Sequence, residues 1–359
     1  MKKSERKKIL LFAYTKVNLG DNLFVYMLLN RYKNIDFYIH IVEKEYEEVY
    51  ENFDNLHYIY ENRNFENIKI ENFDAYIYVG GSIFMESEYA IHEMKEINKF
   101  IKKCKEKNKK FFYMSCNFGP YKTQEYLNLA KETFSLCDGI CFRDKKSYNL
   151  FKDIETVMYA PDMAFSFQTE DVKKEKKSIG ISVINLTIRD ELKKYEEPYN
   201  DFIKRIIIKF AKRGYKVYLF SFSKFEKDGE AIKKIISIVP EEYRNKIEVK
   251  IFRKNIKEYI KEYSKMEYMV CGRFHSMILS ILFNQKIYNI TYSQKQENVI
   301  NENKLFKKYQ PINQISFETI LRKYYFKKVS KNKLRRIAKE AEGQFENLDN
   351  WLKNKEQEK

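Results

Sequence analysis

Short runs rich in β-branched and aromatic residues alternate with longer amphipathic stretches from one end of this chain to the other. That alternation is the pattern of parallel sheets covered by helices, because a parallel strand is reached only through a crossover of a dozen or more residues. In the first half the strand-like runs are KILLFAY, DFYIHIV, DAYIYV, KFFYMSC and GICFR, with helical stretches such as NLFVYMLLNRY and YAIHEMKEINKFIKKCKEK between them. The second half repeats the scheme with SIGISVIN, YKVYLFSF, IEVKIF, YMVCG and KIYNITY, and its helices include YNDFIKRIIIKFAKRG and NIKEYIKEYSK. The first of these two helices stops at Gly214, a residue suited to the left-handed turn that ends helices.

A chain of 359 residues exceeds what one hydrophobic core organises, and 44% hydrophobic residues supply material for two. Between the halves, QTEDVKKEKKS (168–178) is dense in charge and lacks apolar periodicity, so it reads as a linker. The expected class is α/β, with two Rossmann-like doubly wound domains facing a cleft. The first covers 1–170, the second 178–320, and a basic helical segment follows over 321–359. In such sheets ligands bind outside the carboxyl ends of the strands, so functional residues belong immediately after strands.

The chain begins MKKSERKK before a short apolar run, ILLFAY, too brief for the apolar region of a signal peptide. No apolar stretch approaches the roughly 18 residues of a membrane span. Cys104, Cys116, Cys137, Cys141 and Cys271 are odd in number and lack paired zinc spacing, so they read as reduced core residues and no metal is expected. The expected location is cytoplasmic.

A formal charge of +17 favours anionic partners: nucleic acid, acidic lipid or phosphorylated small molecules. RKYYFKKVSKNKLRRIAK, Arg322 to Lys339, carries nine basic residues in eighteen and no acid. It reads either as a solvated helix face or as a contact with anionic membrane lipid or a lipid-linked substrate at the inner face of the membrane. Nucleic acid is not expected, since no recognised nucleic-acid module accompanies the charge.

After the strands come TKVNLGDN with Gly20, Asp21 and Asn22, then GGSIF with Gly80, Gly81 and Ser82, and CNFGPY with Asn117 and Gly119. FRDKKS follows with Arg143 and Asp144, then NLTIRD, FSKFEKDGE, and GRFHS with Gly272, Arg273, His275 and Ser276. Neither the G-x-G-x-x-G dinucleotide pattern nor a phosphate-binding G-x-x-x-x-G-K-[ST] loop is present, so nicotinamide cofactors and ATP hydrolysis lose support. Gly80 and Gly81 fit a tight turn or a ligand contact, and both readings stay open.

GRFHS offers the most chemistry. Gly272 releases the strand YMVC into a turn, and the helix HSMILSILF starts at about His275, giving an anion site at its N-terminus. Arg273 adds a planar, permanently charged fork for phosphate or carboxylate oxygens. His275, with an ordinary pKa near 6.5, can move a proton at neutral pH. The same residues also fit plainer roles, a helix cap for His275 and a salt-bridge partner for Arg273.

GRFHSMILSILFNQKIYNITYSQKQENVI resembles the C-terminal signature of the polysaccharide pyruvyl transferase family, with Gly272, Arg273, Phe274 and His275 opening a helix and Tyr292 and Lys295 following the next strand. LGDNLFVYML, YVGGSIF, MSCNFGPY, CFRDKKSYNLF and APDMAF resemble its other elements, in the family's order. The resemblance implies a GT-B-like pair of Rossmann domains. It also implies transfer of a pyruvyl group from phosphoenolpyruvate onto two hydroxyls of a sugar, forming a cyclic ketal with no cofactor. In that chemistry Arg273, the helix N-terminus and Lys295 or Arg143 would hold the donor's charge, His275 would serve as acid or base, and Asp21 or Asp144 would orient the acceptor, which can be lipid-linked. Two positions depart from the family pattern: YSQK has Ser293 and Gln294 where Asp-Pro is common, and Ser82 replaces a third glycine. Two other functions fit the same sequence, a GT-B glycosyltransferase using a nucleotide sugar and a non-catalytic scaffold at a membrane surface.

Overall fold

The computed structural model describes residues 6–321 and 326–357, apart from the side chains of 354–357. They divide into two compact units. The first comprises Met1–Thr15, Leu23–Ser166 and Arg336–Lys359, and the second Lys16–Asn22 and Phe167–Arg335.

The first unit is built on seven parallel strands: β1 (Lys7–Phe12), β2 (Ile35–Ile41), β3 (Leu56–Tyr60), β4 (Ala75–Val79), β5 (Lys110–Cys116), β6 (Gly139–Phe142) and β7 (Val157–Tyr159). Their order is β3-β2-β1-β4-β5-β6-β7, with every neighbouring pair parallel. Chain direction across the sheet therefore reverses between β1 and β4, and the loops after those two strands flank the switch point. The crossovers include α1 (Leu19–Arg31), α2 (Glu88–Glu106), α3 (Gln124–Ser135) and α4 (Lys145–Phe151). Ser87 and Thr123 start α2 and α3 by accepting the Ala90 and Tyr126 amides, which satisfies donors the helix cannot. Phe12, Tyr76, Phe100 and Phe111 pack as edge-to-face and stacked rings in the core.

The second unit repeats the plan with β8 (Ser178–Val183), β9 (Lys216–Ser221), β10 (Ile247–Ile251), β11 (Tyr268–Cys271), β12 (Lys286–Thr291) and β13 (Gln310–Pro311). Their order is β10-β9-β8-β11-β12-β13, again all parallel, with the switch between β8 and β11. Between them run α5 (Glu196–Ala211), α6 (Asp228–Ser237), α7 (Glu241–Arg244), α8 (Ile256–Ser264), α9 (Phe274–Leu282) and α10 (Gln294–Glu302). All six residues of β8 are buried, Ile179, Ile181 and Val183 in the apolar core and the small Ser178, Gly180 and Ser182 alternating with them. Gly214, at φ +74°, takes the left-handed conformation expected beyond α5.

The two observed units interleave where 1–170, 178–320 and 321–359 were expected to follow in series. Lys16–Asn22 is tied to the second unit by Leu19 N–H to Phe222 O (2.8 Å) and Lys224 N–H to Val17 O (3.0 Å). At the other end, α11 (Lys331–Ala341) and α12 (Glu346–Gln357) carry the chain back into the first. There Ile337, Ala341, Phe345, Leu348 and Trp351 are buried. Gln344 satisfies four backbone groups, accepting from Ser115 N–H (2.8 Å) and donating to the carbonyls of Phe142, Ala160 (2.8 Å) and Pro161. The basic run from Arg322 to Lys339 starts in residues 322–325, which lie outside the described residues. All five cysteines are reduced and buried. Among the described residues no helix is long and apolar enough to cross a membrane.

Candidate active site

In the second unit, the turn from β11 into α9 sits at the switch point beside the end of β8. Gly272 donates to Ser182 O (3.1 Å) and Ser182 Oγ (2.9 Å), and Arg273 N–H to the same hydroxyl (3.2 Å). A Cβ on Gly272 would stand 2.5 Å from the Ser182 carbonyl oxygen, so this approach requires glycine. Extended backbone at Arg273 (φ −117°, ψ 147°) makes it the N-cap position of α9, without a side-chain capping bond. The helix therefore begins at Phe274, one residue before the expected start.

Arg273 points its buried guanidinium at two carboxylates. Nε and Nη2 grip Asp228, the former at 3.2 Å, and Nη1 meets Glu226. Asp228 is fully buried and also accepts the Phe222 and Ser223 amides (2.9 Å each). Glu226 accepts a second guanidinium, Arg189 Nη2, at 2.9 Å, and Arg189 lies 5.2 Å over the Tyr292 ring. Burial opposes charge on Arg273, but Asp228 and Glu226 outweigh it and raise the guanidinium above its ordinary value. Burial likewise pushes Glu226 up, yet Arg273 and Arg189 prevail and hold it below the usual carboxylate range. Two arginines and two carboxylates thus form one charge-balanced cluster.

His275 is half-buried in the first turn of α9 and packs at Gly20, where any Cβ would collide with its imidazole. The LGDN loop and the GRFHS loop are therefore neighbours in this unit. Asn22 anchors the former by accepting Asn18 N–H (2.8 Å), and Asp21 lies in the first turn of α1, where the helix dipole favours an acid. Tyr292 and Lys295 flank the start of α10, and Tyr292 N–H donates to Gln296 Oε1 (3.3 Å). Ser276 is turned away from these groups: its hydroxyl and its carbonyl both lie 2.8 Å from Tyr263 Oη in the interior.

The first unit gathers its own set after β4, β5 and β6. Arg143 is buried and donates from Nη1 to Asp162 (2.8 Å) and from Nε and Nη2 to Asn117 Oδ1 (3.2 and 2.7 Å). Ser82 Oγ donates to the same Asn117 oxygen (3.2 Å), and Asn117 N–H to Gly81 O (2.9 Å). A Cβ on Gly81 would stand 2.5 Å from Arg143 Nη2, whereas one on Gly80 would meet only Ile83, at 3.2 Å. Gly119 takes φ +89° and donates to Phe84 O (2.8 Å). Asp144 caps α4, accepting Ser147 N–H (2.9 Å) and Ser147 Oγ–H (2.8 Å). Among the described residues, no group of three or more His, Cys, Asp or Glu side chains is placed to hold a metal ion.

Sequence reasoning singled out the loops that carry Glu226, Asp228 and Arg189 but not these residues. Their signal was charge immediately after β8 and β9, where ligands and their supports collect. Asp162 lay in the APDMAF element without an assigned partner.

The whole fold is similar to several solved structures. The UDP-GlcNAc 2-epimerase of Neisseria meningitidis bound to UDP-GlcNAc shares 10% identity, with 95% of this chain and 99% of that one covered, at a TM-score of 0.57. Anabaena Alr3699/HepE in complex with UDP and glucose shares 10%, over 97% and 100%, at 0.56. S. aureus MnaA with UDP shares 13%, over 93% and 87%, at 0.54. Identities this low speak for the fold alone, a GT-B-like pair of parallel-sheet α/β domains. Residues 18–294 match the family model for polysaccharide pyruvyl transferase. That stretch runs from the LGDN loop through Arg273 and His275 to the start of α10 and takes in more than half of the sequence, so the chain belongs to the polysaccharide pyruvyl transferase family.

Proposed function

We propose that this transferase moves the pyruvyl group of phosphoenolpyruvate onto two hydroxyls of one sugar, closing a cyclic ketal and releasing phosphate. The observation that carries the reading is His275, half-buried against Gly20 in the first turn of α9 and beside a charge-balanced arginine cluster. Protonation of the donor's methylene carbon turns C2 into an oxocarbenium-like electrophile. One sugar hydroxyl adds there, the second displaces phosphate from the same carbon, and the two hydroxyl protons are balanced by the new methyl group and the departing phosphate. His275 relays protons in these steps.

Arg273 is spent on Asp228 and Glu226, so it acts in this reading as a positioning residue that holds the β11–α9 turn. The donor's negative charge falls to the helix N-terminus, Lys295 and the partly exposed Arg189. Asp144 is occupied in capping α4, which leaves Asp21, next to Gly20, as the carboxylate that orients the acceptor. The acceptor is a sugar on a lipid or nucleotide carrier, and the basic run ending the second unit would let the enzyme work at the inner, anionic face of a membrane.

The test is phosphate release from phosphoenolpyruvate with a panel of lipid-linked and nucleotide-linked sugars. His275→Gln is expected to lower turnover by roughly 10²- to 10⁴-fold while calorimetry still detects donor binding. Near-normal ketal formation by that variant would remove His275 from the chemistry. The UDP-bound neighbours favour a second reading, a nucleotide-sugar glycosyltransferase. Thermal stabilisation by UDP-sugars with none by phosphoenolpyruvate would establish it over the first.

A further inference from the structure

The segment from Ile315 to Leu321 is a turn fastened at both ends and apolar at its tip. Ile315 and Leu321 are buried in the core of the second unit, while Phe317 and Ile320 between them are 59% and 70% exposed. The turn is internally braced by Thr319 N–H to Ser316 O (3.0 Å) and Ser316 N–H to Thr319 Oγ1 (2.8 Å). Two cations of α5 hold it from below, Arg205 Nη1 donating to Thr319 O (2.6 Å) and Lys209 Nζ to Leu321 O (3.2 Å). A fixed backbone that pushes two large apolar side chains into water needs a reason, because isolated exposed apolar residues are common but a braced pair on one tip is not.

Charge supplies that reason. From Lys304 to Arg335 the sequence has ten basic residues and one acid, Glu318 on the turn itself. Beyond the turn, Phe326 packs on Phe210 (5.9 Å between rings), one position along α5 from Lys209, and the next residue, Lys327, bridges to Ile287 of β12. Lys327, Lys328, Lys331 and Arg335 are all exposed. Burial, and then the neighbouring Lys328, push the Lys174 ammonium down to about 8.

The geometry points to a membrane-docking surface: Phe317 and Ile320 enter the interfacial layer of a bilayer whose anionic headgroups meet the exposed Lys327, Lys328, Lys331 and Arg335 that follow the turn in the chain. An apolar tip and a basic stretch are the two signals that stable peripheral attachment requires together. This contact needs neither donor nor acceptor, so its test is separate from that of pyruvyl transfer.

The full chain is sedimented with vesicles of phosphatidylcholine, with and without phosphatidylglycerol, at low and high salt. Binding is expected only to the anionic vesicles, weakening in high salt because the charge contribution is screened. Phe317→Ser/Ile320→Ser should lower partitioning about tenfold or more at either salt concentration. Lys327→Gln/Lys328→Gln/Lys331→Gln should lower it at low salt and change little at high salt. These side chains are exposed, so both variants are expected to melt with the wild type. Vesicle binding by the serine pair equal to wild type overturns the proposal, as does absence of binding to anionic vesicles. A wild-type dimer that the serine pair dissociates, with vesicle binding unchanged, would assign the tip to a second copy instead.

Discussion

Arg143 and Arg273 each stand just after a strand and each is buried against an aspartate, yet their surroundings differ. In the first unit Arg143 is gripped by Asp162 and by the Asn117 amide, which also receives Ser82. In the second, Arg273 meets two carboxylates, and the second of these is shared with another arginine whose side chain is 26% exposed. A half-buried histidine lies two residues on. The first arrangement is suited to bracing three loops, since a guanidinium fork fixes the angle between its partners. The second fixes a turn as well, but keeps a partly exposed charge and a histidine ring at its margin. An arginine after a strand is therefore a shared device for ordering loops, and the two units differ in what stands beside it.

The largest effects should come from cutting each device. Arg143→Met leaves Asp162 buried without its cation and is expected to cost roughly 3–5 kcal/mol, read by thermal or denaturant unfolding. Arg273→Met should cost a similar amount, since Asp228 is equally buried. Removing both charges separates brace from chemistry. Arg143→Met/Asp162→Leu and Arg273→Met/Asp228→Leu should each recover most of the stability, but only the first should recover turnover. Equal loss of turnover in both double variants would erase the proposed difference between the two units.

Much of this contrast was out of reach of the sequence for a definite reason. Central strands such as β5 and β11 are buried on both faces and announce themselves as apolar runs, so both sheets were legible. The edge strands β3, β7 and β13 are short or half-exposed, and no apolar run marked them. Interleaving of the units rests on contacts such as Leu19 with Phe222 and Gln344 with Ser115, which no periodicity encodes. Arg273 was legible as a charge after a strand, but its partners lie 45 and 47 residues away in sequence. Asp144 and Ser276 show the opposite limit. An Asp three residues before a Ser at a helix start is as good a cap as it is a ligand, and packing decides which.

A gentler change sharpens the comparison through the glycines. Gly81→Ala would drive a methyl group into the Arg143 guanidinium, which has no room to retreat, and should cost about 1–3 kcal/mol. Gly20→Ala would push on His275, which is only half-buried and can rotate outward. The expected result is a smaller loss of stability and a larger loss of turnover than in Gly81→Ala. The reverse ranking, measured on the same two axes, would make Arg143 the chemical arginine and Gly20 the structural glycine.

The smallest expected effect belongs to Glu226, the carboxylate shared by Arg273 and Arg189. Its folded-state pKa is depressed, so the folded protein binds fewer protons there than the unfolded chain does. The stabilisation is then complete above the ordinary glutamate value near 4.3 and disappears as pH falls through the lower folded value. Glu226→Gln should therefore be about 1 kcal/mol less stable than wild type at neutral pH, with the gap closing on acidification below roughly pH 4. Denaturant unfolding of both proteins across that range reads the gap directly. A gap that stays constant or widens as pH falls would mean that Glu226 is not held as the charged partner of the two arginines, and the second unit's cluster would then carry a net positive charge more exposed to an anionic donor than the balanced one described above.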